Sequence, residues 1–134
     1  MLDTNIVIYT MKEKPQSVRK AFKKQDGRMC ISTITSMELV YGCERSSNPD
    51  RNLRSLEGFF ARMEVIPFDD AAAAHAGQIR AELAQLGSPI GPYDALIAGH
   101  ARSQGLVLVT NNEREFARVS GLRTVNWVTS SHSA

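Results

Sequence analysis

Residues 91–116 read GPYDALIAGHARSQGLVLVTNNEREF, and this stretch decides the fold class. Gly91 and Pro92 open a helix at Tyr93, because the fixed φ and missing N–H of proline suit a first helical turn. Ala95, Leu96, Ile97 and Ala98 make the helix body apolar, and Gly105 closes it. Leu106 to Val109 is then a short apolar run that reads as a buried strand, ended by the polar Thr110, Asn111 and Asn112. A helix that leads through glycine into a fully apolar strand is the repeating unit of a parallel sheet.

Outward from this unit the same alternation recurs. Met1 to Ile6, Met29 to Ile31, Val65 to Phe68 and Leu122 to Val128 are further apolar runs that read as strands. Pro15 to Lys24 sets Val18, Ala21 and Phe22 on one side of a helix and Arg19, Lys20, Lys23 and Lys24 on another. Thr35, Ser36, Met37 and Glu38 fit a capping box for a helix running to Arg45. Leu53, Leu56, Phe60 and Met63 recur at helical spacing after Pro49. Asp69 and Asp70 suit the cap of an alanine-rich helix whose Ile79, Leu83 and Leu86 form an inner stripe before Gly87 stops it. The order β, α, β, α, α, β, α, α, β, α, β predicts a three-layer α/β/α domain with a mainly parallel central sheet. Ligands of such sheets sit beyond the carboxyl ends of the strands.

The whole chain, 134 residues with 43% hydrophobic and 22% charged, is expected to form one domain with a short polar tail at about 129–134. No apolar run approaches the roughly 20 residues needed to cross a bilayer, and the start shows no basic segment followed by an apolar one. A cytoplasmic location is expected, with Cys30 and Cys43 reduced. Charge is unevenly laid out: residues 12–28 hold seven Lys or Arg against two acids, whereas residues 29–134 hold nine arginines against eleven acids. A basic lobe on an acidic body suits a polyanionic partner, although a solvated helix face explains the lysines equally well.

The acids fall at strand ends and helix starts. Asp3 ends the first apolar run, where it can cap a helix or project into a site. The capping box alone accounts for Glu38. Asp94 begins an otherwise apolar helix, so it needs the helix dipole, a partner or a cation. Asn112, Glu113 and Glu115 follow the Leu106 to Val109 strand as alternative oxygen donors. Brought together by a parallel sheet, such carboxylates repel one another unless a cation joins them. Hard oxygen donors select magnesium or manganese, and the chemistry that such ions support on a polyanion is phosphodiester hydrolysis.

At this point the segments MLDTNI at 1–6, ISTITSMEL at 31–39, IGPYDALIA at 90–98, LVTNN at 108–112 and REF at 114–116, taken in order, carry a family likeness. The chain resembles PIN-domain ribonucleases, specifically VapC-type toxins of bacterial toxin–antitoxin pairs, nearly end to end. The resemblance implies Asp3, Glu38 and Asp94 as the acidic triad, with Asp3 and Asp94 as direct magnesium ligands. Thr4, Asn5, Ser32 and Thr110 match positions that support the site. Many relatives carry an Asp where this chain has Asn112, which leaves Asn112, Glu113 and Glu115 as candidates for a further ligand. Also implied are cleavage of RNA, with an initiator transfer RNA loop as leading substrate, silencing by a VapB-type antitoxin, and homodimerisation. Arg19, Lys20, Lys23 and Lys24 are candidates for holding the RNA backbone.

Other chemistries fit less well. Phospho-aspartyl proteins use a lysine late in the fold, and none follows Lys24; Asn5 replaces the second acid of the phosphatase motif. No glycine precedes a lysine, so a P-loop is absent. His75, His100 and His132 share no zinc spacing with the cysteines. Trp127 is expected to pack in the final strand. The remaining alternative is a binding module that keeps the scaffold and contacts RNA or antitoxin with weak turnover or none.

Overall fold

The first three residues form the centre of the sheet. In the computed structural model, which describes residues 1–12 and 15–128, Leu2 bridges Val109 in parallel. The Asp3 N–H donates to Val109 O at 2.9 Å, Val109 N–H donates to Met1 O at 2.8 Å, and Leu2 N–H donates to Cys30 O at 2.9 Å. On one side lies β1 (Cys30–Ser32), paired in parallel with β2 (Glu64–Ile66). On the other lies β3 (Leu108–Val109), paired in parallel with β4 (Thr124–Val125). The backbone order is therefore β2, β1, Met1 to Asp3, β3, β4.

Side chains alternate across strands with period two, and here the alternation creates two cores. Met1, Cys30 and Leu108 point to one face, packed with Ile79, Leu83, Ile97, Ala98, Ala101 and Phe116. Their neighbours Leu2, Ile31 and Val109 point to the other, packed with Ile6, Val7, Val18, Phe22, Leu39, Leu56 and Phe59. The second set comes from α1 (Thr4–Met11), α2 (Gln16–Lys24), α3 (Thr33–Glu44) and α4 (Pro49–Phe60). The first set comes from α5 (Asp70–Gln85), α6 (Pro92–Ser103) and α7 (Glu113–Phe116). This is the expected three-layer α/β/α arrangement.

Several elements differ from the sequence reading. The first strand stops at Asp3 rather than Ile6, and α1 begins at once, because the Asp3 carboxylate accepts from the Thr4 N–H at 2.7 Å and caps the helix. Ile6 and Val7 are buried from a helix, not a strand. The capping box at Thr35 is not formed. Helix α3 starts at Thr33 with Ser32 as cap, accepting from Ile34 N–H at 3.0 Å, and Thr35 is fully buried. Leu106 N–H is taken by Ala101 O at the end of α6, which shortens the strand expected from Leu106 to Leu108–Val109. Phe68 N–H donates to Thr33 Oγ1, so β2 ends at Ile66. The last strand spans Thr124–Val125, leaving Trp127 beyond it, half-buried against the α1 to α4 core. Leu86 follows the last turn of α5 and is 74% exposed, outside the inner stripe. Met63 lies past the end of α4.

Other expectations hold. Val18 and Phe22 are buried on α2 while Arg19, Lys20, Lys23 and Lys24 are exposed. Asp69 caps α5 by accepting from Ala72 N–H, and Gly87 and Gly105 end their helices at φ near +65°. Cys30 and Cys43 are free thiols, Cys30 buried and Cys43 half-buried. Among the described residues no helix is long and apolar enough to cross a membrane. The proposed polar tail at 129–134, with His132, lies outside the described residues.

Candidate active site

The carboxyl end of the central segment delivers Asp3. Its side chain is 4% exposed, with Oδ1 accepting from Thr4 N–H at 2.7 Å and Oδ2 accepting from the Thr110 hydroxyl at 2.8 Å. Burial pushes this carboxyl above the ordinary aspartate value, opposed by the Thr110 and Thr4 hydrogen bonds. Thr110, itself fully buried at the end of β3, accepts from Asn112 N–H at 2.9 Å, so one hydroxyl ties the fourth segment to the first.

Thr4 links the first segment to α3. Its hydroxyl lies 2.6 Å from Glu38 Oε1 and donates to it, with Thr35 Oγ1 farther off at 3.4 Å. Because Ser32 caps α3, Glu38 is released from the capping duty that its sequence context suggests and turns to Thr4 instead. Asp94 lies in the first turn of α6, after Pro92 and with Gly91 as a cap that supplies no side chain. Burial raises Asp94 to about 6, reinforced by the negative charges of Asp3, Glu115 and Glu38 in that order.

The four acids thus come from four separated segments to one end of the sheet. They are neighbours in charge without being a ready-made cluster: among the described residues no three His, Cys, Asp or Glu side chains are close enough to hold a metal ion as they stand. Of the fourth-segment candidates, Glu115 acts on Asp94. Asn112 contributes its backbone N–H, and Glu113 is exposed. Asn5 is exposed beside Thr4. Ser32 stays below the site, where its Oγ shares a 2.8 Å hydrogen bond with His100 Nδ1. Helix α2 packs beside α1 and leaves Arg19, Lys20, Lys23 and Lys24 on its exposed face.

His100, which in the sequence shows only a lack of zinc spacing to the cysteines, is a further contributor. It is fully buried on α6, edge-on to Phe68 at 5.5 Å, and its bond to Ser32 joins the helix of Asp94 to the cap of the helix of Glu38. Burial holds it below the ordinary histidine value, with the Asp69 charge opposing. A lone polar residue at mid-helix between Gly99 and Ala101, in an apolar stretch, is the signal by which the sequence could have marked it.

Comparison with known proteins shows the family of the chain. The model of the PIN domain matches residues 1–122. A tRNA(fMet)-specific endonuclease VapC of Shigella flexneri is 61% identical over 127 residues, covering 95% of this chain and 96% of the relative. Ribonuclease VapC2 of Haemophilus influenzae strain Rd is 51% identical over 128 residues, covering 96% and 97%. Among solved structures, the VapBC complex of Salmonella typhimurium bound to DNA contains a chain that superimposes with a TM-score of 0.91 at 58% identity, covering 96% of this chain and 97% of that one.

Proposed function

The chain belongs to the PIN-domain family and, within it, to the VapC endoribonucleases, and on that premise we propose that its acidic site hydrolyses an RNA phosphodiester bond with magnesium, or manganese as a substitute. Asp3 and Asp94 are assigned as direct ligands and Glu38 as the third acid, with Glu115 favoured over Asn112 and Glu113 because its charge acts on Asp94. The donor set fits the ion: hard carboxylates whose charges repel one another are relieved by a cation among them. Magnesium characteristically takes only one or two protein carboxylates and keeps several waters, so no closed cage is required. When bound, such an ion lowers the pKa of a coordinated water and offsets charge on the phosphate.

The residues of the chain hold this arrangement. Thr110 and the Thr4 N–H fix both oxygens of Asp3, and the Thr4 hydroxyl fixes Glu38. In the net reaction a water oxygen bonds to phosphorus, one P–O ester bond breaks, and the departing sugar oxygen takes up a proton. The observation that carries this reading is the arrival of Asp3, Glu38, Asp94 and Glu115 from four segments at one sheet end, with hydroxyls holding two of them.

The name of the Shigella relative supports initiator transfer RNA as substrate, and its anticodon loop is the proposed target. The solved VapBC complexes support a VapB-type antitoxin as partner. Homodimerisation, a cytoplasmic location and phosphate contacts from Arg19, Lys20, Lys23 and Lys24 complete the proposal. Its test is incubation of initiator transfer RNA with the purified chain in magnesium, with the chain in EDTA, and with Asp94→Asn in magnesium. Cleavage is expected only in the first, with the cut located by sequencing RNA ends. RNA retained uncut in all three would replace the nuclease with a binding module. In cells, Asp3→Ala and Asp94→Ala are expected to abolish growth arrest while antitoxin binding persists; undiminished toxicity of both would displace the assigned site.

A further inference from the structure

Beside the acids lies a recess of about 510 Å³ that shares two of its walls, Thr4 and Glu38, with them. Its remaining lining includes Asn5, Met37, Tyr41 and Tyr93. Tyr41 is 59% exposed, Tyr93 50% and Met37 42%, an unusual concentration of open apolar surface next to a charged site. Tyr93 is fixed by the first turn of α6, immediately before Asp94. Tyr41 is held by its own helix, since Arg45 donates to the Tyr41 hydroxyl at 3.0 Å and its guanidinium lies 5.8 Å from the ring centroid. The two tyrosine rings therefore stand on helices, with the exposed amide of Asn5 offering both a donor and an acceptor nearby.

We infer that this recess receives one unpaired RNA base next to the scissile phosphate, stacked on Tyr41 and Tyr93 and read at its edge by Asn5. The inference rests on the RNA-cleaving reading above and adds to it a subsite for the base. Three observations select a nucleobase over other occupants. Glu38, one of the acids assigned to phosphodiester cleavage, lines the recess, and Tyr93 immediately precedes another, Asp94, so an RNA strand crossing these acids can present a base to it. Its two most exposed apolar walls, Tyr41 and Tyr93, are aromatic, and every base has a flat face that stacks on such a ring. A guanidinium, from Arg45, stands at the outer ring, where it favours a polyanionic strand. Stacking of this kind requires a base that is not already paired, which matches a loop substrate and disfavours a duplex.

The test separates binding from cleavage. A fluorescent synthetic anticodon stem-loop of initiator transfer RNA is titrated into the Asp94→Asn chain by anisotropy, with and without Tyr41→Ala or Tyr93→Ala. The same substitutions in the otherwise unaltered chain are assayed for cleavage. Each alanine is expected to weaken binding and raise KM by roughly fivefold or more, the lower end for loss of one base stack, with kcat within about twofold. Tyr93→Phe, which keeps the ring, is expected to restore both constants, and Tyr41→Phe, which keeps the ring but loses the Arg45 hydrogen bond, to restore most of each. A stem-loop made abasic next to the cut is expected to bind the starting chain as weakly as the intact loop binds the alanine variants. It should show no further loss with them. Unchanged binding in both alanine variants would overturn the inference, as would failure of phenylalanine to rescue. An altered oligomer mass or antitoxin affinity with unchanged RNA binding would reassign the face to a protein partner. Stacking-dependent binding without cleavage by the unaltered chain would sink the nuclease reading while leaving the base subsite in place.

Discussion

The Thr110 hydroxyl donates to Asp3 Oδ2 at 2.8 Å while accepting from Asn112 N–H at 2.9 Å, and both Thr110 and Asp3 are buried. Through this one atom the end of β3 fixes the acid that ends the central segment. Removing it leaves a buried carboxylate oxygen and a backbone N–H each short of a partner. Thr110→Val, which keeps the shape, is expected to cost about 1–3 kcal/mol of stability, the usual penalty for an unsatisfied buried group. Magnesium affinity measured by calorimetry should fall with it, because Asp3 is no longer oriented; Thr110→Ser should recover most of both. A valine variant as stable and as metal-competent as the parent would deny the hydroxyl this role.

Charge crowding at the site predicts opposite effects on stability and activity. Asp94 is half-buried and faces the charges of Asp3, Glu115 and Glu38. Asp94→Asn removes that repulsion and is expected to stabilise the metal-free chain at pH 7 by on the order of 1 kcal/mol after solvent screening, while abolishing cleavage. Added magnesium should raise the urea midpoint of the parent and leave that of the variant where it was. A variant less stable than the metal-free parent would show that Asp94 is a structural group.

His100 predicts a pH dependence of different sign from the acids. Burial lowers its proton affinity in the folded chain, so the unfolded chain binds the proton more tightly. Its contribution to stability is therefore complete above about 6.5 and declines as pH falls below that value. Asp3 and Asp94, whose affinities are raised, gain stability over acidic pH instead. The difference between the parent and His100→Asn, which keeps a polar atom for Ser32, isolates the histidine. Urea midpoints from pH 8 to 5 should converge as pH falls, with the variant losing less. Parallel curves would place the proton elsewhere.

The three-layer α/β/α plan was legible in the alternation of short apolar runs with helix-like stretches, and the apolar body of α6 can be recognised from its Pro92 start and Gly105 stop. Asp3, Glu38 and Asp94 were legible as separate acids at element ends. What the sequence concealed was local competition. Ile6 and Val7 look like strand residues, yet the Asp3 side chain starts a helix before them. Thr35 looks like a cap, yet Ser32 takes that place, and only this substitution frees Glu38 to meet Thr4. Glu115 could not be chosen over Glu113 without knowing which side of the short helix α7 faces Asp94.

Helix α6 owes its position to a close approach that a single methyl would break. A Cβ on Gly99 would lie 2.5 Å from Ala76 N, 2.7 Å from its Cα and 2.9 Å from its Cβ. Gly99→Ala gains about 1 kcal/mol of helix propensity, but it forces α5 and α6 apart. Overpacking of this kind typically costs about 1–3 kcal/mol and occasionally more, so a net loss is expected in urea denaturation. Ala76→Gly should not rescue it, because two of the three clashing atoms are backbone. Since α6 carries Asp94, residual activity should fall further than stability alone accounts for. Rescue by Ala76→Gly would mean that the helices yield more easily than their packing implies.

The cationic face of α2 is the last group whose role can be separated from simple solvation. Lys20, Lys23 and Lys24 are exposed, so replacing all three by glutamine should alter folding stability little. If these lysines lie along the RNA backbone, each one lost removes the release of about 0.7 counterion on a single strand. The slope of log affinity against log salt should then fall by roughly two for the triple variant. Binding of the stem-loop to the Asp94→Asn chain, measured from low to moderate salt, gives that slope directly. Cleavage at saturating RNA should persist, because the lysines bring RNA to the site without touching the reacting bond. A salt slope identical to that of the parent would return these side chains to the ordinary status of a solvated helix face.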